Sequence, residues 1–154
     1  MTQELDQVQI KLTLSSEWFR LPPHVKVWLD DELIEDFEIV ERKSKGESKV
    51  LEFTRPLVEG THHIKVQYLD KEIPDTKVSD DGTILDDHLV NIDEIEIDEI
   101  ELGYLTYSKG EFFPDNTKRP ELPNRITEII NLGYNGTWQI EFESPTYIWF
   151  LDNL

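Results

Sequence analysis

The sequence predicts an all-β protein, an antiparallel β-sandwich of jelly-roll type formed by residues 1–154 as a single domain. Three observations carry this. Apolar residues recur with a period of two rather than three to four, as in Val8, Ile10, Leu12 and Leu14, which is the pattern of a half-buried strand. Turn signals separate several short runs of this kind, and no stretch has the length and periodicity of a long helix. At 154 residues, 10% of them aromatic, the chain can bury one core, because rings cover large areas each.

The elements follow in order. After Val8–Leu14, the segment SSEWFRLPPH breaks the first strand with two prolines, and alternation resumes at Val25, Val27 and Leu29. Asp30-Asp31-Glu32 is a tight turn into LIEDFEIV, and ERKSKGES is a polar loop with a glycine. Leu51 and Phe53 share a face of a short strand from Lys49 to Thr54. A connection through Gly60 leads to a longer strand in which Ile64, Val66 and Tyr68 point one way and His63, Lys65 and Gln67 the other. From Val90 the alternation changes parity twice, which implies bulges or a crossing between sheets. Residues 103–124 are expected to be irregular, and RITEIINLGY to be a short helical turn, a strand or, the favoured reading, an irregular segment anchored by Ile126, Ile129 and Ile130. Asn135-Gly136 is the strongest hairpin signal in the chain. It precedes a strand carrying Trp138, Ile140 and Phe142. The aromatic end YIWFLDNL is expected to pack, as a last strand, or to dock into a partner's edge or groove.

Charge narrows the partners. The net charge is −18, with 33 acids against 15 Lys and Arg. Asp70–Leu102 alone holds thirteen acids and two lysines. Phosphate backbones and anionic membrane surfaces need clustered cations, so neither nucleic acid nor membrane is an expected partner. No basic leader with an apolar run opens the sequence, and there is no cysteine. The expectation is a protein made in a cytoplasm.

Three kinds of site chemistry are worth testing against these residues. Asp75, Asp80, Asp81, Asp86 and Asp87 lie on one long loop, and calcium takes about six to eight hard oxygens, so calcium is the cofactor this loop admits. The alternative is a solvated acidic loop around an Asp-Asp-Gly turn, and the spacing is not that of an EF-hand. Trp18, Phe19, Tyr107, Phe112 and Phe113 lie in or beside irregular segments, where exposed rings can stack on sugar faces or instead plug the core ends. The four histidines lack zinc-site spacing, and His62 and His63 are consecutive on a strand, hence on opposite faces. No nucleophile elbow, reactive cysteine or phosphate-cradling glycine pattern is present, and no carboxylate pair stands out for glycoside hydrolysis. No catalytic residue is assigned.

The run GTHHIKVQYLDKE, followed by DDGTI and IDEIEIDEIEL, is similar to carbohydrate-binding-module-like β-sandwiches. A closer resemblance is to small proteins of tailed bacteriophages, notably those of marine cyanobacteria, on VKVWLDDELI, the acidic isoleucine strand and the ending LGYNGTWQIEFESPTYIWFLDNL. It covers roughly residues 25 to 154. It implies a non-enzymatic virion or accessory protein, made in a host cytoplasm and assembled onto a particle through contacts with other virion proteins or with itself. The first resemblance implies a glycan-binding module, with calcium as an aid.

Overall fold

Period-two alternation becomes two antiparallel sheets in the computed structural model, which describes residues 5–72 and 76–154. The smaller sheet contains β1 (Leu5–Glu17), β4 (Lys49–Val58), β8 (Leu89–Ile97), β9 (Ile100–Glu101) and β12 (Asn131–Leu132), in the order β12-β8-β1-β4 with β9 paired to β8. The larger contains β2 (His24–Leu29), β3 (Glu32–Glu38), β5 (Gly60–Leu69), β10 (Glu111–Pro114), β11 (Ile126–Thr127) and β13 (Gly136–Ser144), in the order β11-β10-β13-β5-β2-β3. A separate two-stranded ribbon pairs β6 (Thr76–Val78) with β7 (Ile84–Asp87). The chain repeatedly changes sheets, from β1 to β2, β3 to β4, β4 to β5, β9 to β10 and β12 to β13. That is the wrapping of a jelly roll, and the sandwich expectation holds.

One contiguous core lies between the sheets. Val8, Ile10, Leu12 and Leu14 of β1 meet Val25, Val27, Ile64, Val66, Tyr68, Trp138, Ile140 and Phe142 from the larger sheet, all essentially inaccessible. Each such side chain contributes about 1.5–3 kcal/mol relative to exposure. The residues between them face water, which is where the acids go.

Both parity changes in the acidic strand have a local cause. The first is a bulge: β1 and β8 pair Thr13 with Glu94 and then Leu14 with Ile92, so Asp93 is the extra residue. The second is a turn. Asp98 and Glu99 have φ of 52° and 68°, and Ile97 pairs with Ile100, the two-residue hairpin whose backbone twist suits antiparallel strands. Within Asp70–His88, β6 and β7 form a small hairpin around the Asp-Asp-Gly turn, closed by Ser79 N–H to the Thr83 carbonyl at 2.8 Å.

Four expectations need correcting. The last segment is a helix, α2 (Thr146–Asn153), not a strand; a cis Ser144–Pro145 peptide leads into it. Its Trp149 and Phe150 are buried while Tyr147, Ile148 and Leu151 are exposed, a spacing with helical period that was masked by the all-apolar run. Residues 103–124 are not uniformly irregular: they hold α1 (Tyr104–Lys109) and β10. RITEIINLGY supplies two short strands to different sheets, β11 and β12. Asn135-Gly136 is no hairpin turn. The Asn135 amide clamps the Lys71 backbone, its oxygen accepting from Lys71 N at 2.8 Å and its nitrogen donating to Lys71 O at 2.9 Å. Gly136 has φ of 153° and lies so close to β10 that a Cβ there would be 2.4 Å from the Phe113 carbonyl oxygen.

The β2–β3 turn is tied to β5 by Asp30. Its carboxylate accepts from His63 N at 2.8 Å and from His62 Nδ1 at 2.7 Å, while His62 Nε2 reaches the Val58 carbonyl at 2.7 Å. An ionised Asp30 and the Val58 carbonyl both only accept, so the site favours the imidazolium form, in which both ring nitrogens donate. Burial pulls the His62 pKa down, but the bonds to Asp30 and Val58 outweigh it and the net shift is upward from 6.5. A raised folded pKa gives stability that is complete below about pH 6.5 and lost as pH rises through the folded value. The thermal midpoint should therefore fall on going from pH 6 to pH 8.5, and His62→Gln should flatten that fall while lowering the midpoint at pH 6. An unchanged pH slope in the variant would remove His62 as the titrating group.

Candidate ligand-binding face

The alternation that buries one side of the larger sheet presents the other to solvent. Its strand register lines up two rows. One runs Phe113–Thr137–Gln67–Lys26–Asp36 across β10, β13, β5, β2 and β3; the next runs Glu111–Gln139–Lys65–Trp28–Leu33. These side chains are exposed or half-exposed. At about 4.8 Å between strands, Phe113 and Lys26 are separated by about 14 Å. An indole and a phenyl ring therefore flank a polar floor of two amides, two ammonium groups and a hydroxyl. Trp28 is fixed from within the face, its Nε1 donating to Gln67 Oε1 at 3.2 Å.

The Glu111 end of this face deepens into a groove of about 370 Å³, where Glu111, Glu141 and Glu143 meet Lys109, Arg125 and the Trp149 ring. That volume is within the range of small-ligand sites, about 300–1,000 Å³. Arg125 donates to Glu111 at 2.5 Å, and His63 lies 3.7 Å from Glu141. A second hollow of about 220 Å³ is lined by Pro22, Pro23, His24, Tyr68, Asp70 and His88. It is smaller than that range, and its histidine is already engaged: His24 Nδ1 is 2.6 Å from Asp70 and Nε2 is 2.5 Å from Asp36. The Asp70 hydrogen bond, opposed by burial and supported by Asp36, raises the His24 pKa above 6.5.

The five rings singled out from sequence do not form one platform. Trp18 lies under the Arg42 guanidinium, 3.8 Å from the ring centroid, and donates to the Val40 carbonyl at 3.1 Å. Phe19 packs its edge on His88 at 4.6 Å. Tyr107, on α1, tilts against Tyr104 at 5.7 Å. Phe112 is fully buried and cannot stack on a ligand, because it is on the inward side of β10. Phe113, the next residue, is on the outward side and is the one member of the set in the two registered rows of this open face. Trp28 was missed, although its alternation with Val27 and Leu29 already pointed it outward.

The acidic loop does not gather its carboxylates. Asp75 falls outside the described residues. Asp81 is at the hairpin tip, where bonds from Ser79 Oγ and from Thr83 hold its carboxyl at about 2. Asp80 is exposed beside it, and Asp86 caps the Asp87 N–H at 2.9 Å. Asp87 is at the hairpin base, taken up by Lys71 Nζ at 2.6 Å and Thr76 Oγ1 at 2.7 Å. A ribbon rising about 3.3 Å per residue keeps tip and base apart. Among the described residues no three His, Asp or Glu side chains converge on a point that could hold a metal, so Asp80, Asp81, Asp86 and Asp87 do not form a calcium cage by themselves.

Fold and face together define an antiparallel β-sandwich with one open polar–aromatic sheet surface. No protein-family model matches the chain, and no curated protein does. Among solved structures it is similar to one described as vCBM60 in complex with galactobiose, with a TM-score of 0.47 and 12% identity over 88% of this chain and 97% of that one.

Proposed function

We propose that this chain is a non-catalytic glycan-binding module that holds a sugar chain against the outer face of its larger sheet. The observation that carries this reading is the pair of registered rows in which Trp28 and Phe113 flank Gln67, Gln139, Lys26, Lys65 and Thr137. Sugar rings present an apolar C–H face and a rim of hydroxyls. Aromatic side chains cover the first, and amides and ammonium groups, which donate and accept in several directions, satisfy the second. The face is built on strands, so its donors are preorganised and little ordering opposes binding.

A glycan array followed by calorimetry tests it. Trp28→Ala and Gln67→Ala should each weaken the best array ligand by about tenfold or more, near 1.4 kcal/mol, with the fold intact by circular dichroism. Trp18→Ala, outside the two rows and engaged with Arg42 and the Val40 carbonyl, should leave affinity unchanged. Absence of any glycan ligand, or equal loss in all three variants, would sink the reading. The same titration with and without millimolar calcium tests the aid of an ion.

A second reading, a structural or accessory protein of a phage particle acting through protein contacts, is favoured by the β6–β7 ribbon. Among the described residues it pairs only with itself, and it exposes Val78, Ile84 and Leu85, at 55%, 61% and 60%, the kind of apolar surface that marks contact sites. Mass spectrometry of purified particles lacking the chain would end that reading.

A further inference from the structure

We infer that the outward face of α2 is a docking surface for a basic, amphipathic protein segment, meaning apolar side chains flanked by lysine and arginine. This does not rest on the glycan reading, since the face is the side of α2 opposite Trp149. The helix buries Trp149 and Phe150 and leaves Tyr147, Ile148 and Leu151 at 67%, 44% and 79% exposure. These positions are i, i+1 and i+4, so the three side chains form one stripe. A stripe of this kind on the polar surface of a highly charged protein is a contact site rather than scatter.

The charge around the stripe selects the partner. Residues 126–154, which include β13 and α2, contain no Lys, Arg or His, and residues 78–108 contain no Lys or Arg; the cations Lys109 and Arg125 line the groove on the Trp149 side of α2, away from the stripe. Asp98 supports the first turn, its carboxylate accepting from Thr146 Oγ1 and from Gln9 N. Ser144 Oγ, at the end of β13, is 3.1 Å from Asp6. Glu99 follows Asp98 in an exposed turn, and Asp152 is exposed on the helix itself. An apolar stripe with Asp152 on its own helix and Asp98 at its first turn is complementary to an apolar stripe rimmed by cations. It is anti-complementary to itself, so a second copy of a chain with net charge −18 would bring like charges together. Anionic lipid and nucleic acid are repelled by the same carboxylates.

The probe is a fluorescent synthetic helix with leucines at heptad core positions and lysines elsewhere, with a leucine–glutamate helix as control. Fluorescence anisotropy at physiological salt should show binding of the lysine helix and none of the control. The paired substitution Ile148→Ser and Leu151→Ser removes only exposed side chains and should weaken binding about tenfold or more without changing the thermal midpoint. Asp152→Asn with Glu99→Gln should reduce the salt dependence instead. Equal binding by the serine variant would place the peptide elsewhere on the acidic surface and overturn the inference. So would equal binding of the control helix, preferential binding to phosphatidylcholine vesicles, or self-association abolished by the serine pair.

Discussion

Phe112→Ala is expected to destabilise the fold by about 3–5 kcal/mol, the cost of removing a buried aromatic side chain and leaving a cavity. Total stability for a domain of this size is about 5–15 kcal/mol, so the variant sits near the edge of folding. The ring is fully buried and is in register with Trp138 on one side and Ile126 on the other. Its surroundings cannot easily close over the gap. Gly136 holds the β13 backbone against the Phe112 ring, at 3.0 Å from where a Cβ would stand, and Gly110 lies under the Trp138 indole, where a Cβ would be 2.4 Å from a ring carbon. The indole is also held by its Nε1, which donates to the Ile129 carbonyl at 3.0 Å. Phe113→Ala, one residue along on the outward side, should cost under about 1.5 kcal/mol, since less area leaves water there. Urea titration checks both: the midpoint should drop sharply for Phe112→Ala and little for Phe113→Ala, with the slope nearly constant. Equal losses would mean that the inward and outward sides of β10 are misassigned.

That contrast shows what alternation can and cannot convey. The strands of β1, β2, β5 and β13 were legible because each alternates over five or more residues, and one face of each is buried by the opposite sheet. The sandwich class follows from them. The site was less legible, for a long-range reason. Trp28, Gln67, Gln139 and Phe113 come from four strands, and only the order β10-β13-β5-β2 makes them neighbours. No local pattern encodes that order. The rings in loops are engaged within the protein, Trp18 under Arg42 and Phe19 against His88. Asn135-Gly136 misled because its glycine is needed for close approach to Phe113 rather than for a turn, and both uses leave the same dipeptide. The parity slips in the acidic strand were legible as irregularities; their two mechanisms, a bulge at Asp93 and a positive-φ turn at Asp98-Glu99, depend on pairing with β1 and β9.

Asp87→Ala is expected to be the most damaging charge substitution, costing about 3–5 kcal/mol, because it strands a buried cation. The Lys71 and Asp87 side chains are only 8% and 16% exposed, and their ion pair is 2.6 Å long. Without Asp87 the ammonium keeps one partner, the Gly133 carbonyl at 2.6 Å. The same carboxylate accepts from Thr76 Oγ1 at 2.7 Å and from the His88 N–H at 2.9 Å. It therefore joins the base of the β6–β7 ribbon to the start of β8, while Lys71 joins both to the Asn135 clamp. Losing it frees the ribbon and loosens the clamp, beyond the cost of the orphaned charge. A buried pair is expensive to break but contributes little against an apolar replacement of the same size. The double variant Lys71→Met with Asp87→Leu should accordingly recover most of the loss, to within about 1–2 kcal/mol of the native protein. Hydrogen exchange would locate the change: in Asp87→Ala the amides of Thr76–Val78 and Ile84–Asp87 should exchange faster than the β1 and β13 amides, and in the double variant that difference should shrink. If Asp87→Ala costs less than about 1 kcal/mol, the value of a surface pair, the Lys71 ammonium reaches water and the ribbon is held to the sandwich by something other than this carboxylate.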